Sequence, residues 1–362
     1  MKKFFRLFLI LFFFFPLTKV LAQEEVSYKG VVQESKEVPC SDVLADGYNC
    51  FEYVVFISDL DLTEKSIPML AETDTPKFKE GDKVYITSVS DEFGNEVWSI
   101  TGYNRNFSIL ILVGIFALLS VIIGGKQGVG SLISFVLTIL ILYIWAIPKF
   151  IEGKSIMIIG IMTVGVMLFV MIYLSHGFNR KSTIGAISTS IGVIIVGIFA
   201  KIFMNLINID GSGSEEAFLL FSQTDGGINL SEIYFISILI SAVGVLDDVV
   251  MSQISSVQEI FKVDNQLSTS KLYLKSMNIG KDHISSMINT LFVAYAGSSL
   301  ALVMLLTYSS GGIGNIIKTD IIAEEIVRIV VPSLGILLIV PIATFLAAKI
   351  IPLISKRERT SL

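Results

Sequence analysis

From residue 107 onward, the chain alternates long apolar runs with short polar segments. The runs are about 20 residues long, which is the length that a helix needs to cross the hydrocarbon core of a bilayer. The pattern therefore predicts seven transmembrane helices, at approximately 107–124, 128–147, 155–175, 183–207, 229–250, 284–306 and 327–351. Small residues let helices approach closely in lipid, so we expect most glycines of these spans to serve packing. These glycines are Gly160, Gly165, Gly185, Gly192, Gly197, Gly244 and Gly297.

A different pattern precedes the apolar runs, between residues 23 and 104. Short stretches here mix β-branched, aromatic and polar residues, and clusters of turn-forming residues separate them. Strands are predicted at 26–32, 51–57, 83–89 and 97–103. We therefore predict one small all-β domain, and its sequence carries no catalytic motif.

The first residues have the pattern of an export signal. Basic residues precede the apolar stretch 7–17, and the small residues Val20 and Ala22 lie where a signal peptidase prefers them. Residues 1–22 are therefore predicted to be either a signal peptide cleaved after Ala22 or an uncleaved signal anchor. Both alternatives place the β domain outside the cytoplasm.

The chain has two cysteines, Cys40 and Cys50, and both lie in this exported region. A disulfide between them would close a short loop in an oxidising compartment. Two free thiols are the alternative, in a weakly oxidising envelope. A structural zinc site normally has four ligands, so no metal site is predicted here.

Composition and charge support a polytopic α-helical membrane protein with about seven transmembrane helices and a small N-terminal extracytoplasmic all-β domain. The chain is 53% hydrophobic and 16% charged, whereas soluble domains are roughly 25% charged. Lys and Arg concentrate in alternate loops and in the tail 356–362, as they do in cytoplasmic segments. We therefore expect a transmembrane domain at 105–355 in the cell membrane, with the β domain outside and the tail in the cytoplasm.

The basic residues flank the predicted spans and form no patch of their own. The lipid bilayer is accordingly the expected partner of this chain, and nucleic-acid binding has no support.

Two adjacent acids, Asp247 and Asp248, lie near the inner end of the fifth predicted span. Asp248 belongs to a stripe of small and polar residues at helical spacing, which runs from Gly244 to Glu259 through Ser252. An ionised side chain at the centre of a bilayer costs about 2.5–3.5 kcal/mol or more, so this stripe should face the bundle interior. Asp247 is about 100° away on the helix and is expected to border the same cavity or the cytoplasmic interface.

The sixth predicted span carries a second polar stripe, at Ser286, Asn289 and Thr290. We expect an antiparallel helix pair to bring Asp248 and Ser252 against these residues, with Asp282 at the mouth of the cluster. Such oxygens and amides suit a hard cation, a proton or the polar end of a substrate. The alternative is that the aspartates only stabilise helix packing.

The two stripes together resemble the YibE/F-like family of bacterial membrane proteins. The matching residues of 244–259 and 279–297 are Gly244, Asp248, Ser252, Glu259, Gly280, Lys281, Asp282, Asn289, Thr290, Leu291, Ala294, Tyr295 and Gly297. Arg105 and the loop residues Gly177, Asn179 and Lys181 also match. Asp247 departs from the family pattern, which is usually apolar there. The resemblance implies a multi-pass membrane protein with an extracytoplasmic N-terminal domain, and it implies no reaction.

Of three functions that fit this sequence, we favour a permease or exporter with its site at Asp248, Ser252, Asn289 and Thr290. The chain has no G-x-x-x-x-G-K-[ST] phosphate-binding loop, so ATP would have to act through a separate membrane subunit. The alternative is a sensor or scaffold, whose β domain binds an external ligand and whose bundle signals to a partner or to a second copy.

An intramembrane enzyme is the third reading of the two aspartates. Aspartyl chemistry needs two carboxylates that share a proton across a few ångströms. Asp247 and Asp248 instead diverge on one helix, and no matching acid lies inside another predicted span. We therefore expect neither enzymatic activity nor a cofactor.

Overall fold

The computed structural model describes residues 27–38, 49–57, 63–71, 77–90, 96–224, 226–310, 313–316 and 318–360. The predicted signal segment and Cys40 lie outside the described residues. The chain divides into two compact units, one at Val20–Leu119 and the other formed by Met1–Lys19 with Ser120–Leu362. Each unit is described below by itself.

The first unit contains a five-stranded antiparallel sheet, which confirms the all-β prediction. Its strands are β1 (Ser27–Val38), β2 (Asn49–Ile57), β3 (Thr63–Ala71), β4 (Lys83–Ser90) and β5 (Glu96–Tyr103), in the order β3-β2-β1-β4-β5. Strand β3 was not among the predicted strands.

Alternate residues of these strands form the core of the sheet unit. Val32, Tyr53, Val55 and Ile86 are buried there, since side chains one residue apart point to opposite faces of a strand. Cys50 is disulfide-bonded, and Cys40 lies outside the described residues.

The second unit is helical. Its elements are α1 (Asn106–Leu140, which begins in the first unit), a π-helical segment (Ile141–Ala146), α2 (Ile147–Ile151), α3 (Ile156–His176), α4 (Arg180–Ile207), α5 (Glu215–Gln223), α6 (Leu230–Val263), α7 (Thr269–Ser298), α8 (Leu300–Ser310), α9 (Ile313–Ile316) and α10 (Asp320–Thr360). Helix α6 is central, because it packs against α3, α4, α7 and α10. Side chains at the helix starts accept backbone N–H bonds, as Asn179 does from Ser182 at 2.8 Å.

Among the described residues, five helical segments are long and apolar enough to cross a membrane. They are Asn106–Ile151, Ile156–His176, Arg180–Ile207, Leu230–Val263 and Asp320–Ile354, and the pair Thr269–Ser298 and Leu300–Tyr308, bent by 59°, adds a sixth if it counts as one span. The sequence predicted seven. The difference arises because the predicted spans 107–124 and 128–147 both fall within Asn106–Ile151.

Helix α1 is not continuous. Gly125 has φ 54° and ψ −131°, a left-handed conformation that glycine adopts readily and that interrupts the helix. A Cβ atom at Gly128 would clash with the backbone carbonyl of Ser120. Residues eight apart in a straight helix are separated by about 12 Å, so the chain must turn back on itself at this glycine.

Candidate functional site

The two aspartates of α6 line one cavity of about 400 Å³, which we call the aspartate cavity. Asp247 is 5% exposed, and its Oδ1 atom has no hydrogen-bond partner among the described residues. Asp248 lines the same cavity but is more exposed. Asp247 is therefore the more deeply buried of the two.

The wall opposite the aspartates comes from the second half of α1. Gln127, Ser131, Ser134 and Thr138 line the cavity and follow one another at intervals of four, three and four residues. This spacing places them on one helix face. The Thr138 Oγ1 atom is buried and lacks a hydrogen-bond partner among the described residues. The wall thus offers hydroxyl and amide groups to whatever occupies the cavity.

None of these four residues is among the predicted site residues, although their helical spacing is visible in the sequence. The predicted spans 107–124 and 128–147 instead imply a turn at 125–127. That interpretation concealed a polar stripe that begins within the turn and continues into the helix.

Both histidines of the chain lie close to Asp248. His176, at the end of α3, lines the aspartate cavity, and Asp248 is within electrostatic range of both His176 and His283. The Nε2 atom of His283 is buried and has no hydrogen-bond partner in the described part of the chain. His176 therefore brings an imidazole into the same cavity as the two carboxylates.

The loop after α3 fixes the position of His176. Gly177 has φ 78°, a backbone conformation that residues other than glycine rarely adopt. The Asn179 side chain caps α4 and donates through Nδ2 to the backbone oxygen of His176 at 2.7 Å. Gly177 and Asn179 therefore hold His176 in the cavity wall.

The other predicted site residues lie elsewhere. Ser252, Asp282, Ser286, Asn289 and Thr290 are exposed, and none of them lines the aspartate cavity. The expected grouping of Asp248 and Ser252 with the polar stripe of the next helix is therefore not what the structure contains.

The reason is the register of the α6–α7 pair. The buried Gln253 side chain donates through Nε2 to the backbone oxygen of Ser276 at 2.9 Å. Counting five residues back along α6 and five forward along α7 brings Asp248 level with Lys281, close to His283. Ser286 then lies five residues further along α7, or about 7.5 Å beyond Lys281.

No group of three or more His, Cys, Asp or Glu side chains is placed to hold a metal ion within the described ranges. The aspartate cavity itself combines two carboxylates, one imidazole and a row of hydroxyl and amide groups. Chemically, this set can bind a hydrated cation, or it can hold and transfer a proton.

A second cavity, of about 300 Å³, lies nearer the start of α6, and we call it the glutamate cavity. Its lining includes Ser214, Glu216, Tyr234, Ser237, Glu324 and Arg328. Glu324 is 4% exposed, and its Oε1 atom accepts the backbone N–H of Gly213 at 2.9 Å. The Tyr234 hydroxyl donates to the backbone oxygen of Glu324 at 2.6 Å. The loop before α5 and the starts of α6 and α10 are thereby joined around this cavity.

Comparison with known proteins gives one match. Searches of curated proteins and of solved structures returned none. A family model described as "YibE/F-like protein" matches residues 112–353, which is about two-thirds of the chain. The match contains every residue that lines the two cavities, and the chain belongs to the YibE/F-like family of proteins.

Proposed function

We propose that the chain is a permease that moves a small cation, a proton included, across the membrane through the aspartate cavity. The proposal depends above all on Asp247, a buried carboxyl group that lines a cavity and has an oxygen without a partner among the described residues. Leaving a buried polar group unpaired costs about 1–3 kcal/mol, and more for a charged group. A bound cation or proton would remove that cost, and acids inside spans commonly mark ion or proton pathways.

The surroundings of Asp247 support the same conclusion. The hydroxyl and amide groups at Gln127, Ser131, Ser134 and Thr138 are oxygen donors of the kind that hard cations prefer. His176 lines the same cavity as the two aspartates and suits proton transfer to and from the pair.

The proposed topology has seven spans, with the β sheet outside the cytoplasm and the carboxyl terminus inside. The break at Gly125 and the close approach of Gly128 to Ser120 support counting α1 as two spans. Lys126 at this turn and Lys181 after α3 then lie on the cytoplasmic side, as the distribution of basic residues requires. The aspartate cavity would therefore lie near the inner surface.

Flux into liposomes tests the proposal. Purified protein is reconstituted into vesicles that contain a pH-sensitive or a sodium-sensitive dye, and a proton or sodium gradient is imposed. We expect Asp247→Asn and Asp248→Asn to lower the rate by about tenfold or more, since they remove the charges that attract the cation. Rates for both ions that equal those of protein-free vesicles would contradict the proposal.

Two variants provide the matched control. Ser252→Ala, on the same helix α6, and Asp282→Asn, on α7, change exposed polar residues that do not line the cavity. Their rates should equal that of the unmodified protein. If Asp247→Asn lowers the melting temperature in detergent but leaves the flux unchanged, the aspartate stabilises the fold and does not serve transport.

A further inference from the structure

The glutamate cavity and the aspartate cavity lie on the same face of α6. Ser237 lines the first and Asp248 the second. Asp248 follows Ser237 by eleven residues, or just over three helical turns, so the two side chains lie within about 20° of each other around the helix. The distance between them along the helix axis is about 16 Å. One helix face thus connects the two cavities.

Small residues occupy this face between the cavities. Ser241 and Gly244 are partly exposed, and a Cβ atom at Gly244 would meet no atom within 4 Å. At other glycines the space is filled: a Cβ at Gly192, for example, would lie 3.0 Å from Leu246 and 3.1 Å from Ile339. The open space at Gly244 therefore does not serve helix packing.

The serine hydroxyls of this face can lie against water or lipid because each already donates a hydrogen bond to a backbone carbonyl of its own helix. Ser237 Oγ donates to the Tyr234 carbonyl at 2.7 Å, and Ser241 Oγ donates to the Ile238 carbonyl at 2.9 Å. Both oxygens keep lone pairs that point away from these bonds. Acceptor oxygens of this kind can replace part of the hydration shell of a passing cation.

Carboxylates dominate both ends of the face. The aspartate cavity has Asp247 and Asp248, with His176 as its titratable neighbour. The glutamate cavity has Glu216 and Glu324. Negative charge at both ends attracts cations and repels anions.

The charge of Arg328, which also lines the glutamate cavity, is partly offset. Its Nη1 atom lies 2.9 Å from Glu325 Oε1, and its guanidinium group stacks over the Tyr234 ring at 5.3 Å. Asp210, in the loop before α5, adds further negative charge near this end. Hydrogen bonds from the Ser212 hydroxyl and N–H hold the pKa of Asp210 below its usual value, so it stays ionised.

From this arrangement we propose that the two cavities are the ends of one cation pathway along the Ser237–Ser241–Gly244–Asp248 face, and that the glutamate cavity is its outer binding site. This inference rests on the proposed permease function and names the route and the second site. It assigns to Glu216 and Glu324 a role that the aspartates alone do not require.

Accessibility of the face to a cationic thiol reagent tests the route without measuring flux. Ser241→Cys and Gly244→Cys are made in the full chain, with Ser212→Cys in the exposed outer loop as positive control and the fully buried Ile238→Cys as negative control. We expect a trimethylammonium methanethiosulfonate added outside to modify positions 241 and 244 about tenfold faster than its sulfonate analogue, because the carboxylates select cations. If positions 241 and 244 remain unmodified, or if they react at equal rates with the cationic and the sulfonate reagent, the proposed route is wrong.

Flux separates this inference from the proposed function. Glu216→Gln and Glu324→Gln should each lower the proton or sodium rate by about threefold or more, and the glutamine at 324 keeps an oxygen that can accept the Gly213 N–H. Asp247→Asn could abolish flux while Glu216→Gln, Glu324→Gln and thiol modification of Ser241→Cys leave the flux unchanged. In that case the permease function stands and the proposed route is wrong. If position 241 reacts selectively but no flux occurs, the hydrated route stands and the permease is wrong.

Discussion

Gln253 shows how a buried polar side chain can stabilise this bundle. It is 1% exposed, and its Nε2 atom donates both to the Ser276 carbonyl at 2.9 Å and to the Thr344 hydroxyl at 2.8 Å. Thr344 in turn donates to the Val340 carbonyl at 2.6 Å. One amide therefore connects α6 with α7 and α10. Asp247 lies six residues earlier on α6, and its Oδ1 atom has no hydrogen-bond partner among the described residues.

At this residue scale, Gln253→Leu should destabilise the protein. The substitution removes both interhelical hydrogen bonds in a buried site, and hydrogen bonds of this kind contribute about 0.6–2 kcal/mol each in membranes. We expect a lower melting temperature in detergent, measured by circular dichroism or by thiol-reactive dye. Gln266→Leu, in the exposed loop after α6, should melt like the unmodified protein. If Gln253→Leu, Gln266→Leu and the unmodified protein have equal melting temperatures, Gln253 does not stabilise the bundle.

At the scale of the element, the glycines of the helices fall into two groups. Added Cβ atoms at Gly160 and Gly185 would clash with Ile236 and Met251 of α6, so these glycines allow close helix contact. Cβ atoms at Gly165, Gly244 and Gly297 would meet nothing within 4 Å. Four of the seven glycines named above thus have a close neighbour, in agreement with the prediction that most of them serve packing, and these three are the exceptions.

Helix α1 gives the sharpest test of this distinction. Gly128→Ala should destabilise the protein by about 1–3 kcal/mol, because its Cβ meets the Ser120 backbone, which cannot move aside as a side chain can. Gly114→Ala and Gly124→Ala, on the same helix, add a Cβ in open space. They should be neutral or stabilising by up to about 1 kcal/mol. The three variants are compared by their melting temperatures in detergent. If Gly128→Ala leaves the melting temperature unchanged, the proposed reversal of the chain at Gly125 is wrong.

At the scale of the whole molecule, the number of spans decides which surface each cavity opens to. Fusing a reporter to truncated chains tests this directly. With α1 as two spans, a chain that ends at Lys154 should export alkaline phosphatase in active form. With Asn106–Ile151 as a single span, the same junction would lie inside, and a green fluorescent protein fused there would fluoresce instead. A junction at Asp264 should give cytoplasmic fluorescence if α1 forms two spans and active alkaline phosphatase if it forms one. Lys154 and Asp264 should therefore report opposite sides in either case, and each fusion shows that the other is expressed.

The sequence alone determined the elements and much of their character. A run of about 20 apolar residues can satisfy its backbone in lipid only as a helix, so spans follow from length and composition without knowledge of their neighbours. Between residues 27 and 103, stretches of β-branched, aromatic and polar residues separated by turn-forming residues predicted the sheet. Strand β3 was not among the predicted strands. The unusual position of Asp247 and Asp248 was also visible, because charge is rare in such a helix.

Only the tertiary structure decided which helix faces meet. The spacing of residues fixes their angle on their own helix, but it does not fix how that helix is rotated against the others. Lipid tails are as apolar as leucine, so an apolar pattern does not distinguish a face that packs against protein from one that faces lipid. The aspartates therefore meet Gln127 and His176, more than 70 residues earlier in the chain, and do not meet the exposed Asn289 of the following helix.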